Sequence, residues 1–257
     1  MCIKPAAAFC AALALCLWAG GALAQPAVEA APLTGALYEP EGADAQTATY
    51  VFGYAYPQLA GDRPQDVAVN AYYAALAADA SASAAPEILA ALEAPPGPGM
   101  PAYYTRLEYT VTANTDDYLS VLLTSRQFLG NAETERWTAD VFAMSGVYAG
   151  RRVSLSQAMG LEQEDGAAAQ GVSYASELVY GLVWQIIGQQ TALRQRDYDP
   201  SLTLADLERV LSPENDFYLD ADGNFVFYVQ AGELAGEVEG IVTFPFSSAE
   251  LLSAVKP

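Results

Sequence analysis

Apolar and polar positions alternate with period two at the start of the first clearly patterned segment. Tyr50, Phe52, Tyr54 and Tyr56 fall on one side, and Thr49, Val51, Gly53 and Ala55 on the other, before Pro57 stops the run. This is a strand with an aromatic stripe. Such a stripe either lines a carbohydrate groove or packs beneath a helix; the second is expected, because a half-buried strand needs large side chains at every other position. After Arg63-Pro64, Val67, Tyr72 and Leu76 recur at helical spacing and predict a helix to about residue 80. Pro86 is placed to open a second short helix through Leu92, and Pro95-Pro96-Gly97-Pro98-Gly99 makes a loop.

The middle of the chain returns to period two. Leu107, Tyr109 and Val111 alternate with Arg106, Glu108, Thr110 and Thr112, and Asn114-Thr115-Asp116-Asp117 is a hairpin signal. Residues 118–128 and 137–144 continue the pattern, with a turn at Gly130-Asn131 between them. Three consecutive antiparallel strands, a meander, are predicted. A turn at 146–150 leads through Val153 and Leu155 to a short segment ending near Leu161, and 162–171 is a polar, acidic loop.

From Val172 the positions Ala175, Leu178, Val179, Leu182, Val183, Ile186, Ile187 and Leu193 follow helical spacing, with Glu177, Gln185 and Gln189 on the polar side. This is the strongest helix pattern in the chain. Thr203 with Asp206 three residues on has the form of a capping box for a shorter helix that ends before Pro213. Strands at 217–219, 225–230 and 241–246 close the pattern. The class predicted is α+β: an antiparallel meander packed against helices, one domain of two βα halves over residues 46–257.

The N-terminus follows a different logic. Lys4 supplies a positive start, residues 6–17 are an unbroken apolar run, and Ala22-Leu23-Ala24 has the small-x-small form of a cleavage site. Residues 1–24 read as a secretory signal peptide, since the run is short of the roughly 20 residues a membrane span needs. Cys16 follows Leu15, where lipid attachment calls for a small residue. Residues 25–45, rich in Ala, Pro, Glu and Gly without a hydrophobic period, read as a flexible tether. The expected location is secreted, outside the cytoplasm, with no transmembrane segment after cleavage.

Removal of the leader strips the chain of cysteine, because Cys2, Cys10 and Cys16 all lie in it, and histidine is absent throughout. Without imidazole or thiolate there is no Ser-His-Asp triad, no Cys-His pair, no thiol redox couple and none of the usual zinc sites. Ten basic residues remain (eleven less Lys4) against 31 acidic ones, and Lys256 is then the last lysine. Such a surface repels nucleic acid and anionic lipid and attracts cationic partners, although acidity alone also keeps a secreted protein soluble.

Asp220-Ala221-Asp222-Gly223-Asn224 resembles the start of a calcium loop. Its sixth position, Phe225, should be glycine and its twelfth, Ala231, glutamate, so a turn between strands is the reading. A glycosidase needs only two carboxylates about 5 to 9.5 Å apart, and a carboxylate-based wall hydrolase is the alternative functional class, but no pair stands out. Neither a cofactor nor a metal is expected.

The ordered signals resemble a known family. Tyr56-Pro57-Gln58-Leu59 followed by Asn70, Leu119-Ser120-Val121 after a hairpin, Gly150 leading to Val153-Ser154-Leu155, and Asn215-Asp216-Phe217-Tyr218-Leu219 before Gly223 and Phe225-Val226-Phe227-Tyr228 occur in one order. Together they resemble the extracytoplasmic domain of RsiV-type anti-sigma factors, which bind lysozyme, a domain also found in front of PdaC-type peptidoglycan deacetylases. The resemblance covers roughly 50–246. It implies a non-catalytic, ligand-recognising role at the bacterial envelope, with lysozyme or another cationic protein as ligand and cell-wall glycan second. The chain departs from the family at two turns, where it carries Leu129-Gly130-Asn131-Ala132 and Ala231-Gly232-Glu233. The positions of the family's distinctive loops nominate Gly130, Asn131, Glu133, Gln230, Glu233 and Glu237 as the candidate ligand-binding residues.

Overall fold

The computed structural model describes residues 28–29, 32–44, 46–161, 174–234 and 240–255. The proposed signal peptide, the acidic stretch at 162–171, Val172, Glu237 and Lys256 lie outside them. Two sheets carry the fold: a five-stranded sheet in the order β1-β2-β3-β4-β5 and a three-stranded sheet β6-β7-β8. The first contains β1 (Leu33–Glu39), β2 (Tyr50–Tyr56), β3 (Tyr103–Asn114), β4 (Tyr118–Phe128) and β5 (Thr134–Ala143), and the helix α1 (Pro64–Glu93) joins β2 to β3. The second half contains the helices α2 (Leu155–Ala158), α3 (Tyr174–Ala192) and α4 (Leu204–Val210), then β6 (Phe217–Leu219), β7 (Phe225–Val229), β8 (Val242–Phe246) and α5 (Ser248–Val255). The α+β class read from the sequence is the class observed.

The aromatic stripe of β2 is buried. Tyr50, Phe52 and Tyr56 are at most 4 % exposed, and Ala84 and Ile88 of α1 pack on Tyr50 and Phe52. Tyr56 stacks on Tyr73 of α1 with ring centroids 5.6 Å apart. The core reading of the stripe holds, and a carbohydrate groove on these residues is ruled out by α1.

Four local expectations are corrected. The two helices placed at 64–80 and 86–92 are one helix of 30 residues that runs through Pro86. Proline removes one backbone hydrogen bond and crowds the preceding turn, but alanines on either side favour helix and Ala84 and Ile88 are held against the sheet, so packing carries the helix across it. The meander of β3, β4 and β5 forms as read, and β6, β7 and β8 are likewise antiparallel, but the first sheet is not antiparallel throughout, because β2 pairs with β3 in parallel. A parallel pair needs a long crossover, and α1 is that crossover.

The tether expected at 25–45 contains β1, which pairs antiparallel with β2 over its whole length. Its Thr, Gly and Ala positions carry no period of their own; an existing strand edge supplies the hydrogen bonds that order them. Gly35 leaves room there for the Tyr54 ring, which would have to shift from a Cβ placed 2.4 Å away. Finally, α5 was not foreseen. Ser247 and Glu250 cap it reciprocally, with Ser247 N donating to Glu250 Oε2 at 2.7 Å and Glu250 N donating to Ser247 Oγ at 3.2 Å, a signal present in the sequence. The box predicted at Thr203 and Asp206 forms as expected.

The largest core lies between the second sheet and α2 to α5, built on Val179, Val183, Leu207, Phe217, Phe227 and Phe244 among others. It meets the first sheet through Ala113, Val141 and Ala143, and a separate small cluster joins Tyr228 of β7 to Leu122 and Ala139. Two carboxamides staple the structure by imitating a strand neighbour. Asn70 of α1 accepts from Leu59 N at 2.8 Å and donates to Leu59 O at 3.0 Å. Gln230, just after β7, accepts from Trp137 N at 3.0 Å and donates to Trp137 O at 2.8 Å on the outer edge of β5. Further along that edge, Val153 N donates to Val141 O and Gly150 N to Ala143 O, so the C-terminal part of the edge is occupied.

Candidate functional site

The nominated residues fall on two surfaces. Gly130, Asn131 and Glu133 form the β4–β5 turn, where Gly130 adopts φ +94° and Asn131 and Glu133 are exposed. The hydroxyl of Tyr104 on β3 donates to the Glu133 carboxylate, which fixes the ring at the tip of the sheet and raises the phenol above its ordinary range. Gln230 is spent on the backbone of Trp137, four residues beyond Glu133 on the same hairpin. It is a staple, and both ends of its amide are engaged. Glu233 turns away from this surface, and Glu237 is outside the described residues.

Glu233 lines a cleft of about 580 Å³ between the loop joining α3 to α4 and the loop after β7. Asp197, Asp199 and Asp206 share its wall with Glu233, and Arg209 is the basic residue among the lining groups. The loop is preorganised from within. Asp199 accepts from Ser201 N at 2.8 Å and Ser201 Oγ at 2.7 Å, and these bonds hold its carboxyl below the usual range. Asp206 accepts from Thr203 Oγ1 at 2.6 Å and meets Arg209 at 2.9 Å, with the threonine bond the larger cause of its lowered value. Tyr198 is buried behind the cleft and donates to Gln190 Oε1 at 2.5 Å. Glu233 Oε2 is shielded from solvent and has no hydrogen-bond partner among the described residues. The cleft thus gathers three aspartates and a carboxylate oxygen with capacity to accept, a chemistry that suits a guanidinium or ammonium group.

A third cluster is closed to ligands. Asp140 on β5 is 1 % exposed, pairs with Arg152 at 2.9 Å, and accepts from the hydroxyls of Tyr72 at 3.0 Å and Tyr73 at 3.3 Å. Burial pushes its carboxyl above the ordinary range, against the pull of Arg152 and the two tyrosines. This group fastens α1 to the sheet. The 220–224 loop is a turn, as read: Asp220 Oδ1 accepts from Asp222 N and Asn224 N, and Gly223 adopts φ +78°. Among the described residues no group of three or more Asp or Glu side chains could hold a metal ion, and no helix is long and apolar enough to cross a membrane.

Sequence reasoning missed Asp197, Asp199 and Arg209, whose loop has no period, and met Asp206 only as a helix cap. The signal available was the density of acid in 197–206 beside the acid of 233, two stretches that only the fold brings together.

Fold and site together define an α+β domain of two sheets with preformed surface clefts. No protein-family model matches the sequence, and no curated protein does. The fold recurs in solved structures of the DUF3298 family. A member from Bacteroides fragilis superposes with a TM-score of 0.50 at 14 % identity, covering 89 % of this chain and 98 % of that one. A DUF3298 family protein from Pseudomonas aeruginosa PAO1 gives 0.52 at 16 % identity, covering 90 % of this chain and 95 % of that one. At such identities the likeness is one of fold.

Proposed function

We propose that the chain is a secreted, non-catalytic recognition domain of the bacterial envelope, of the RsiV-like extracytoplasmic kind, and that its ligand is a cationic protein, lysozyme foremost. The observation that carries this reading is the cleft in which Asp197, Asp199, Asp206 and Glu233 converge with Arg209 as the basic lining residue. A basic side chain entering it gains several charge-assisted hydrogen bonds, and the chain's net charge of −20 steers such a partner inward. The structural neighbours in the DUF3298 family support the extracytoplasmic-domain part of the reading through the fold alone.

The test is titration calorimetry of residues 25–257 with a c-type lysozyme at physiological and raised salt. Saturable binding that persists at raised salt and weakens at least tenfold in Glu233→Gln is the expected result. Heat that vanishes with modest salt, or binding indifferent to Glu233→Gln and Asp199→Asn, would reduce the cleft to unspecific acidity.

A further inference from the structure

The face of the first sheet turned away from α1 is only half covered. Where β4 and β5 approach the second sheet, Leu122 and Ala139 are buried; towards the β4–β5 turn the same face is open. The register sets the open part out in rows. Tyr104 lies opposite Phe128, Arg106 opposite Arg126, and Arg126 in turn opposite Glu135. On the other side Arg106 neighbours Gly53, which has Ala36 beyond it, so a shallow floor of small residues flanks the arginines.

The side chains on this floor are held in place. The rings of Tyr104 and Phe128 sit 5.9 Å apart, tilted by 31°, and Glu133 anchors the Tyr104 hydroxyl. The Arg106 guanidinium rests 4.7 Å over the Tyr104 ring. Arg126 meets Glu135 at 2.9 Å and Glu108 at 3.5 Å. Trp137 Nε1 donates to the other Glu135 oxygen at 2.8 Å. Burial pushes Glu135 up, but the hydrogen bonds from Arg126 and Trp137 outweigh it and leave the carboxyl below its ordinary range.

One group stands out. Like Arg136, Arg151 and Arg194, Arg106 forms no ion pair among the described residues, but it is the one of these that faces a second arginine, and the carboxylates Glu108 and Glu135 are engaged by that neighbour, Arg126, and not by Arg106. Stacking on Tyr104 preorganises its planar fork for a carboxylate. The surroundings narrow the class of ligand. Glu108, Glu133 and Glu135 around the arginines repel a uniform polyanion, such as nucleic acid or a polyacidic peptide. The same carboxylates accept hydroxyl hydrogen bonds, and the Phe128 ring beside the Arg106-covered Tyr104 offers an apolar surface. A ligand with one carboxylate among many hydroxyls and a rigid apolar ring face satisfies all three.

We propose that this open face binds a carboxylate-bearing glycan, with a sugar ring against Phe128, its carboxylate on the Arg106 guanidinium held over Tyr104, and neighbouring hydroxyls on Glu108 and Glu135. The site is separate from the acidic cleft and does not depend on it. The experiment is calorimetry of residues 25–257 with a hyaluronan hexasaccharide, which carries a carboxylate on alternate sugars, and with neutral chitohexaose. Saturable hyaluronan binding at least tenfold tighter than chitohexaose is expected, reduced at least tenfold in Arg106→Ala and unchanged in Glu233→Gln. Arg106→Gln, which keeps the length of the side chain, gives the same loss with the fold verified by circular dichroism. Absence of saturable hyaluronan binding, equal affinity for both oligosaccharides, affinity unmoved by the Arg106 variants, or tighter binding of a poly-glutamate peptide would each overturn the proposal.

Discussion

The two faces of the five-stranded sheet are written in the same period-two code and have opposite fates. One carries Tyr50, Phe52, Tyr56, Val121 and Phe142 and is sealed by α1; the other carries Tyr104, Arg106, Arg126 and Phe128 and remains open beyond the reach of the second sheet. Aromatic residues occur on both. What differs is the company they keep: the buried neighbours on the covered face are apolar or, like Asp140, fully partnered, whereas neighbours on the open face are charged. Alternation thus identifies a face, and the charge pattern around its aromatics decides whether burying it is affordable.

Substitutions on the covered face should therefore act on stability and those on the open face on binding. The largest effect is expected for Phe142→Ala, which empties a position packed edge-on against Tyr72 and Tyr73; a loss of about 3–5 kcal/mol should appear in urea unfolding. Arg152→Ala strands the buried Asp140 charge. With Arg152 itself 38 % exposed, the loss is expected to be about 2 kcal/mol at neutral pH, smaller than for a fully buried pair.

That cluster also fixes a pH dependence. The Asp140 carboxyl is raised in the folded state, so its contribution is fully present below the unfolded value and is lost as pH rises through the folded one. Asp140→Asn should therefore gain on wild type between pH 4 and pH 7 in paired urea melts; a constant difference would show that burial does not dominate the site. Next in size, Gln230→Ala leaves both Trp137 backbone groups without their staple and should cost about 1–2 kcal/mol, without loss of affinity for any ligand of the cleft. Smallest, Arg106→Ala on the open face should change stability by no more than about 0.5 kcal/mol. A large destabilisation there would erase the distinction between the faces.

The motifs that carry the family resemblance prove to be structural when placed in the fold. Asn70 grips Leu59, and Ser120 Oγ accepts from Leu219 N at 3.0 Å to tie the two sheets. Gly150, at φ +79°, sits where a Cβ would come within 2.9 Å of Gln65 Cα. Asp216 accepts from Ser212 N at 2.7 Å at the mouth of β6. Residues of this kind are legible in a sequence because each has few chemical substitutes. They speak for the fold and are silent about the ligand.

The sequence by itself determined the elements whose signals are local: the stripe of β2, the hairpin from β3 to β5, the apolar face of α3, the capping box at Thr203 and the Asp220 turn. It also determined that histidine is absent and that no cysteine follows Cys16, since composition does not depend on folding. Tertiary structure alone decided the rest. Whether residues 33–39 form a strand depended on a free edge at β2, and whether α1 crossed Pro86 depended on the sheet beneath it. The meeting of Glu233 with Asp197, Asp199 and Asp206, and the split of the nominated loops between a staple, a cleft and an open face, arise from contacts distant in sequence. Such contacts leave no local period, because the hydrogen bonds and buried area that define them exist only once both partners are in place.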